Sequence, residues 1–564
     1  MKRELSKYIS LLLVLLLCLS LVCCNGSDQP VYEFDYEGDL TPGTAAPLRR
    51  QYRDKVYVGK GVPTFDYTEA EASELMVQLD ELYECLEQDD PAAFVAMFTY
   101  VQYGAFARME SQCSLAQLEY SLYRNDPEAA ENFEWMNAFY TDASARLFKL
   151  YRLAYDSPFC DTFFRGWDEE DIRMALLFAD AMDEEYAALQ QEYDDVLVSY
   201  YEMQQSENFI EESAKLYADA VRINNAVARK LGYENYMDYA YEFMYLREYT
   251  PEDVDAVRAY VKQHLIPLYK RVDAELTMLE SDLRQSEIDA INALMYPELE
   301  DESVQTYMQA VGGDFSEEYA KLMEQERYCL AYDPSASRDG AFTDCLRDAD
   351  QPYIYMGGSY INGFTLIHEY GHYYAFSVDA LRAVSYDLCE LQSQGNEWLY
   401  LAYLSEQHCD LASTYTALYR MYSDIGSIIL CLAVDEFEQT VYANPEAYAD
   451  PATLDALFTQ ILSGYIDPGA FGAGIEEYWH YVAFDTAGYY VSYAVSMISC
   501  LELYYMAEDD LGKAMQTYLS LSEYKGEMTF SEVLENAGMQ NPLESDYVFW
   551  DFDELYMLMQ QKQQ

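Results

Sequence analysis

Apolar residues recur at helical spacing through most of this chain. In the stretch EASELMVQLDELYECLEQ, leucines occupy every third or fourth position: Leu75, Leu79, Leu82 and Leu86. This spacing places the four side chains on one face of a helix. Similar stretches continue to about residue 246, with few strand signals between them. The pattern predicts a mainly α-helical fold, and 564 residues suggest about two to four domains or one large helical body with lobes.

One region breaks this helical pattern. Residues 337–360 contain Gly and Pro and two runs that look extended, GAFTDCL and PYIYMGG. Runs of this kind between turn residues are typical of short paired strands. We therefore expect a small antiparallel hairpin or sheet immediately before the stretch GFTLIHEYGHYYAF at residues 363–376.

The charge of the chain excludes one class of partner. It has 100 acidic and 34 basic residues, for a formal net charge of −66. Such a field repels phosphate backbones, so we expect no nucleic-acid partner. We interpret the acidity as a feature of solubility, and we expect a monomer.

Cysteine usage does not predict a cysteine-based metal site. Of the 12 cysteines, nine lie beyond residue 24, scattered singly and with no CxxC pair. This arrangement fits neither a dense disulfide framework nor a zinc site built from thiolates. Most of the nine are expected to be small buried residues.

The N-terminus has the pattern of an export signal. Lys2, Arg3 and Lys7 accompany the apolar run YISLLLVLLLCLSLVCC, which predicts a signal peptide over residues 1–23. The end of this run, LVCC, resembles a bacterial lipobox, which would make Cys24 the lipidated first residue of the mature chain. Cys23 is the alternative acceptor, and an ordinary cleaved signal without lipid is the alternative to both.

The region after the signal predicts a tether to a membrane. Residues 24–62 are polar, contain Pro and Gly, and show no sustained period. About 35 flexible residues would have a root-mean-square reach of ~30–35 Å. We therefore expect an exported protein at a bacterial cell surface, anchored to the membrane through its N-terminal lipid.

Two of only five histidines lie four residues apart. His368 and His372 flank Glu369 in the pattern HExxH. On an α-helix, residues four apart share a face, so both imidazoles aim at one point with Glu369 beside them. This is the arrangement of a catalytic zinc site with a carboxylate base. Gly371 costs about 1 kcal/mol inside a helix, which indicates a close approach by another part of the chain.

Zinc needs a third protein ligand when one coordination position stays open. A helix beginning at about Tyr386 would place Glu390 and Glu397 two turns apart on one face. Either could reach the metal, and the other could orient a histidine from behind. The lone His408 is more typical of a structural residue.

These residues resemble a known family. The stretches PYIYMGGSYINGFTLIHEYGH and ELQSQGNEW are similar to the thimet oligopeptidase and oligoendopeptidase F family of zinc peptidases. The resemblance implies that Glu390 is the third ligand and Glu397 the supporting carboxylate. The segment from His372 to Glu390 is shorter than in many members, so Glu397 stays open as the alternative ligand.

A later stretch extends this resemblance. EYWHYVAFDTAGYYVSYAVS contains His480, followed by Tyr490 and Tyr493. In the family, a histidine and a tyrosine pair of this kind lie across the cleft from zinc. Imidazole and phenol groups can donate to an oxyanion, so Tyr490, Tyr493 or His480 is expected to stabilise the tetrahedral intermediate. Tyr489 competes with Tyr490 by one position of register.

The resemblance also implies a fold and a mechanism. We expect two helical lobes around a deep substrate channel, with a small antiparallel sheet beside the histidine helix and one Zn²⁺ per chain. Glu369 would take a proton from a zinc-activated water that attacks a peptide carbonyl, then pass it to the leaving amine. Gly357 and Gly358 could leave backbone groups free to pair with an extended peptide.

The predicted domain plan places residues 63–200 in an N-terminal helical lobe and 201–560 in an oligopeptidase-like catalytic region. The predicted function is zinc-dependent endopeptidase activity on short unstructured peptides. The alternative is a surface lipoprotein that binds peptides without cutting them. HExxH separates the two, because a pure binder needs no base beside two metal ligands.

Overall fold

A computed structural model describes residues 56–561, except for 88–90, 166, 168, 204–205, 207, 282, 380–384, 409, 449, 473, 485–486, 524–527, 545–546 and 548–550. The predicted signal peptide, the lipidation site at Cys24 and most of the predicted tether lie outside these residues. The division into an N-terminal lobe and a catalytic region stays a prediction.

The described residues are mainly α-helical, as predicted. The helices before the histidine stretch are α1 (Glu69–Glu87), α2 (Pro91–Val101), α3 (Ala107–Leu122), α4 (Pro127–Tyr155), α5 (Cys160–Phe163), α6 (Glu169–Ala181), α7 (Glu184–Met203), α8 (Phe209–Lys230), α9 (Tyr236–Tyr239), α10 (Val254–Tyr260), α11 (Ile266–Glu280), α12 (Gln285–Met295), α13 (Glu302–Val311) and α14 (Gly313–Gln325).

The remaining helices are α15 (Gly363–Val378), α16 (Tyr386–His408), α17 (Leu411–Ala443), α18 (Leu454–Ser463), α19 (Trp479–Val482), α20 (Tyr490–Asp509), α21 (Leu511–Ser520), α22 (Phe530–Ala537) and α23 (Phe552–Gln561). Three π-helical turns interrupt or extend this series, at Gln102–Phe106, Ala240–Met244 and Val261–Leu265.

The predicted sheet is present, but it has four strands and mixed pairing. Its strands are β1 (Val56–Val58), β2 (Tyr328–Ala331), β3 (Gly340–Leu346) and β4 (Gln351–Gly357), in the order β1-β2-β4-β3. The β3–β4 pair is the antiparallel hairpin that the sequence predicts. The sheet is mixed because β2 lies parallel to β4. On its other side, β2 pairs antiparallel with β1.

Side chains alternate between the two faces of this sheet, as strand geometry requires. Leu330, Ile354 and Met356 join the main core, while the other face packs on α3 in a separate apolar cluster. That cluster includes Leu115 and Leu118 from α3. The sheet therefore joins segments far apart in the sequence, and residues 56–58, which the sequence placed inside the tether 24–62, form its edge strand β1.

The centre of the molecule is a group of long buried helices. Helix α16 is buried along most of its length and packs against α15, α17, α20 and α21. Helix α17 is long and apolar enough to cross a membrane by length and composition, but 72% of its most apolar window is buried inside the protein, as expected of a core helix. The metal centre described below lies on α15 and α16.

The cysteines behave largely as the sequence predicts. The eight beyond residue 55 that the structure describes are all free thiols, and five of them are buried: Cys113, Cys329, Cys345, Cys431 and Cys500.

Candidate metal centre

Helix α15 carries the two histidines of the HExxH pattern. The helix begins after Asn362, whose side chain accepts a hydrogen bond from the Thr365 amide at 2.9 Å. An N-cap of this kind fixes the first turn. The rings of His368 and His372 lie on one face, with their centroids 5.1 Å apart and their planes at 79°.

Gly371 allows α16 to approach this helix closely. A Cβ atom at this position would lie 2.5 Å from the Gln392 carbonyl oxygen and 2.7 Å from the Ser393 Cα atom, both in the backbone of α16. No side chain fits at such distances, so the predicted close approach is present. It brings the first turns of α16 alongside the histidines.

The predicted ligands His368, His372 and Glu390 lie together. One donor atom from each falls within 4.8 Å of the others, and His368 Nε2 is 3.9 Å from Glu390 Oε2. Two imidazoles and a carboxylate are the protein ligands of many catalytic zinc sites. The residues present therefore fit a zinc ion with an open coordination position.

The structure separates the two candidate carboxylates. Glu397 lies on the other side of the His368 ring, with Oε1 2.6 Å from Nδ1. A carboxylate at this nitrogen fixes the ring and its tautomer, and leaves Nε2 for a metal. Glu390 thus lies among the predicted ligands, and Glu397 lies behind His368, on the other side of its ring.

Two residues that the sequence analysis did not single out continue this network. Arg420, on α17, forms an ion pair with Glu397, and its Nε lies 2.9 Å from Asp424 Oδ1. Asp424 also accepts a hydrogen bond from the Trp398 indole at 3.0 Å. No local pattern marks Arg420, because it reaches Glu397 only through the packing of α17 on α16.

Glu390 has its own supporting contacts. The Tyr489 hydroxyl donates to Oε1 at 2.5 Å, and the Ser393 hydroxyl donates to Oε2 at 3.1 Å. Tyr489 is the tyrosine that the sequence left as a competitor of Tyr490. The rings of Tyr490 and Tyr493 pack around it, with centroids 6.5 Å and 5.0 Å from that of Tyr489.

The predicted base, Glu369, is buried and hydrogen-bonded. The Thr343 hydroxyl, from edge strand β3, donates to Glu369 Oε2 at 2.7 Å. Burial raises the pKa of Glu369 to about 7, against the lowering effects of His368 and Thr343. A carboxylate with such a pKa can accept and release a proton near neutral pH. Thr343 was not singled out, although its strand was predicted.

The other titratable groups respond to one another. Burial works to lower the pKa of His368, but Glu397 and the two neighbouring carboxylates raise it to about 9. Burial raises the pKa of Glu390. Burial would also raise that of Glu397, yet Arg420 and His368 hold it below its usual value. The carboxylate behind His368 is therefore anionic.

His480 does not have the free donor that its predicted role requires. Its Nδ1 lies 2.8 Å from the Ser213 hydroxyl, and its Nε2 lies 2.9 Å from Asp455 Oδ1. The ring also stacks on Trp479, with centroids 3.8 Å apart. Both ring nitrogens therefore have partners in this structure, and these contacts do not support the predicted donation from His480 to an oxyanion.

The two glycines predicted to bind substrate lie in a different setting. Gly357 ends β4, an inner strand that pairs with β2 and β3, so it does not lie at a free sheet edge. A Cβ atom on Gly357 would lie 2.0 Å from the Arg338 carbonyl oxygen, and one on Gly358 would lie 2.1 Å from Asp339 Oδ1. Close packing against residues 338–339 explains both glycines, and the strand addition predicted there is not supported.

Sequence comparisons alone do not identify relatives of this chain: no protein-family model and no curated protein matches it. Solved structures do match. A structure described as an oligoendopeptidase F aligns with TM-score 0.68 and 16% identity over 88% of this chain and 96% of its own. PZ peptidase A with an inhibitor aligns with TM-score 0.66 and 16% identity over 88% and 97%.

A third match, described as an oligoendopeptidase F from Bacillus anthracis, has TM-score 0.65 and 15% identity over 88% of this chain and 96% of its own. At such identities the likeness shows the fold, and it extends over nearly the whole of each neighbour. The chain has the fold of the oligoendopeptidase F peptidases, and the resemblance predicted from its sequence is confirmed at the level of the fold.

Proposed function

We propose that this chain is a zinc-dependent endopeptidase that hydrolyses short unstructured peptides. The observation that carries the proposal is the convergence of His368, His372 and Glu390, with the buried carboxylate Glu369 in the same pattern. The names of the structural neighbours support peptides as substrates. One metal ion per chain suffices for this arrangement.

In this proposal His368, His372 and Glu390 would hold the zinc ion. When bound, zinc supplies Lewis acidity, which makes water easier to deprotonate and a carbonyl easier to attack. Glu369 accepts a proton from the attacking water and later donates it to the leaving amine. Its pKa of about 7 suits both steps, and the Thr343 hydroxyl fixes its orientation.

Tyr490 and Tyr493 remain the proposed donors to the oxyanion that develops on the former carbonyl oxygen. Both lie beside Tyr489, whose hydroxyl contacts the ligand Glu390. Donors placed in advance at such a point stabilise the transition state more than the ground state. We leave His480 out of this role.

An extended peptide would add most simply along β3. This strand is an edge of the sheet, and its Thr343 contacts Glu369. An edge strand offers free backbone groups to an extended chain. This placement replaces the one predicted at Gly357 and Gly358.

We also propose that the protein is exported and anchored through lipidated Cys24. The support is the sequence pattern of residues 1–24 alone. A surface location would suit either the peptidase or the alternative, a lipoprotein that binds peptides without cutting them. The buried base beside the predicted ligands favours the peptidase.

The test replaces the base and leaves the ligands. In Glu369→Gln, we expect the purified full-length protein to bind zinc as before, while cleavage of a quenched fluorescent peptide falls by about two to four orders of magnitude. Chelation should abolish cleavage by the unchanged protein, and added zinc should restore it.

Glu502→Gln provides a matched control. Glu502 is also a buried glutamate whose pKa burial raises to about 7, but its contacts are with Gln540. We expect this variant to cleave the peptide at nearly the original rate. Near-normal cleavage by Glu369→Gln would overturn the assigned base, and no zinc binding by the unchanged protein would overturn the proposal as a whole.

A further inference from the structure

A fully buried arginine lies behind the metal centre. Arg247 follows the π-helical turn Ala240–Met244, and its side chain has no exposed area. The neighbouring Leu246 adopts φ +51°, which is costly for a residue with a side chain. Such a local conformation persists only where surrounding contacts enforce it, and the contacts of Arg247 are of this kind.

Arg247 contacts the starts of two helices that meet at the metal centre. Its Nε lies 3.5 Å from Asp387 Oδ1, and Asp387 is three residues before Glu390 on α16. Its Nη2 donates to the Ser492 hydroxyl at 2.7 Å and approaches the Tyr489 carbonyl oxygen at 3.4 Å. One guanidinium therefore joins the turn that carries the ligand Glu390 to the turn that carries its hydrogen-bond donor Tyr489.

Other buried groups hold the same turn. The Tyr245 hydroxyl donates to the Ala487 carbonyl oxygen at 3.0 Å. The Gly488 amide donates to Glu438 Oε2 at 2.8 Å, and Gly488 adopts φ +81°. The approach of the chain to Tyr489 is thus fixed by contacts from residues 245–247 and from α17.

An aromatic enclosure keeps the guanidinium in one orientation. Its carbon lies 4.3 Å from the ring centroid of Tyr241, 4.6 Å from that of Tyr245 and 5.9 Å from that of Tyr249. Cations are attracted to aromatic faces at such distances, and more strongly away from water. A planar guanidinium held in this way keeps its hydrogen-bond donors in fixed directions, which a flexible lysine ammonium would not do.

We propose that Arg247 is a positioning residue for the metal centre: it sets the Tyr489 hydroxyl against Glu390 Oε1, which holds the Glu390 carboxylate beside His368 Nε2, where a zinc ion would bind. The inference rests on the proposed zinc function. Arg247 itself touches neither the predicted ligands nor the substrate region in the contacts described above, so its effect passes through Asp387, Ser492 and Tyr489.

A second buried pair offers a control with the same chemistry. Arg258 forms an ion pair with the fully buried Asp435 on α17, and also with Asp255 at 2.7 Å. These partners lie on α10 and α17 rather than on α16 and α20. Asp435 also accepts a hydrogen bond from Tyr241, which encloses Arg247, so the control variants change Arg258 and keep Asp435. Removing one partner of any buried ion pair is costly, while replacing both by neutral groups is much less so.

The experiment measures zinc affinity and ligand geometry separately from activity. The variants are Arg247→Lys and the double variant Arg247→Met with Asp387→Asn, with controls Arg258→Lys and Arg258→Met, which both keep Asp435. Zinc affinity is measured by competition with a chromophoric chelator, and ligand geometry by the visible absorption of the Co²⁺-substituted protein. Thermal unfolding of each metal-free variant records the change in stability.

We expect both Arg247 variants to bind zinc about tenfold more weakly, as loss of outer contacts often causes, and to change the Co²⁺ spectrum. The Arg258 controls should lose comparable stability with less than a twofold change in zinc affinity. If Arg247 acts through Tyr489, then Tyr489→Phe with Arg247→Lys should bind zinc no more weakly than Tyr489→Phe alone.

Zinc affinity and a Co²⁺ spectrum unchanged in Arg247→Lys would overturn the inference, even if its unfolding temperature fell. Should the Arg247 variants not fold, Ser492→Ala removes the 2.7 Å hydrogen bond from Arg247 together with the Ser492 contact to Asp387, and it must still alter the spectrum. An unchanged protein that binds no zinc overturns the proposed function as well, whereas tight zinc binding that is insensitive to Arg247 overturns this inference alone.

Discussion

His368 and His480 each lie against a carboxylate, yet only His368 of the two lies in the candidate metal centre. His368 Nδ1 is 2.6 Å from Glu397, and its Nε2 faces Glu390. His480 Nε2 is 2.9 Å from Asp455, and its Nδ1 meets Ser213. The carboxylate leaves one nitrogen of His368 for a metal, while in His480 both nitrogens are used.

The two rings also differ in their electrostatic surroundings. Burial alone would lower the pKa of both. Around His368 three carboxylates outweigh burial and raise the pKa to about 9. Around His480 the single acidic neighbour, Asp455, is partly exposed and does not outweigh burial, so the pKa of His480 is lowered below 6.5. A histidine–carboxylate pair is therefore not by itself the mark of a metal site, because a metal also needs the second ring nitrogen, and in His480 that nitrogen already has a partner.

The largest difference in zinc affinity is expected when each of the two histidines is replaced. Replacing His368 with Gln should reduce zinc affinity by orders of magnitude, because two remaining ligands are too few for a catalytic site. His480→Gln should keep zinc affinity within about twofold while lowering stability. Chelator competition with both purified variants measures zinc affinity. A large loss of zinc affinity in His480→Gln would contradict the conclusion that His480 lies outside the metal centre.

A smaller effect is expected at the two carboxylates. Glu397→Gln should weaken zinc binding by about 10- to 100-fold, since it removes the group that orients His368. Asp455→Asn should leave zinc affinity unchanged, and because Asp455 is partly exposed, its cost in stability should be about 1 kcal/mol. Equal zinc affinities for the two variants would contradict the distinction between the pairs.

The smallest effect concerns pH and stability. Since the pKa of His480 is lower in the folded protein than its usual 6.5, its contribution to stability is present above pH 6.5 and is lost as pH falls through the folded-state pKa. His480→Gln should therefore show a smaller loss of unfolding free energy between pH 7.5 and pH 5. The difference is about 1.4 kcal/mol for each unit by which the pKa is lowered.

Denaturant unfolding of both proteins at several pH values measures this difference. A variant of the exposed His264 controls for the loss of one histidine. A pH dependence identical in His480→Gln and the unchanged protein would show that the ring is not held neutral by burial.

Local patterns in the sequence were enough to predict the helices and the strand that carry the candidate site. The helical period of His368 and His372, the strand run at residues 340–346 and the start of α16 at Tyr386 all agree with the structure. These features depend on neighbours within a few residues, which the sequence displays directly. The cost of a glycine at position 371 likewise pointed to a close approach before its partner was known.

Choices between nearby candidates needed the fold. Glu390 and Glu397 lie on the same helix, and only the packing of α15 on α16 puts one at His368 Nε2 and the other at Nδ1. The tyrosine at Glu390 is Tyr489, one position from the pair that the resemblance implied. A shift of one residue on a helix turns a side chain by about 100°, and no pattern of spacing resolves it.

The sequence by itself determined that this chain would be mainly helical and that two imidazoles would share a helix face beside a glutamate, because hydrophobic period and backbone geometry act over short distances. Only the tertiary structure decided which glutamate joins the two imidazoles and which histidine has both ring nitrogens bonded to other side chains. It also decided that Arg247, Thr343 and Arg420 lie around the candidate metal centre. Those side chains come from elements far apart in the sequence, and the packing that brings them together is a property of the whole core.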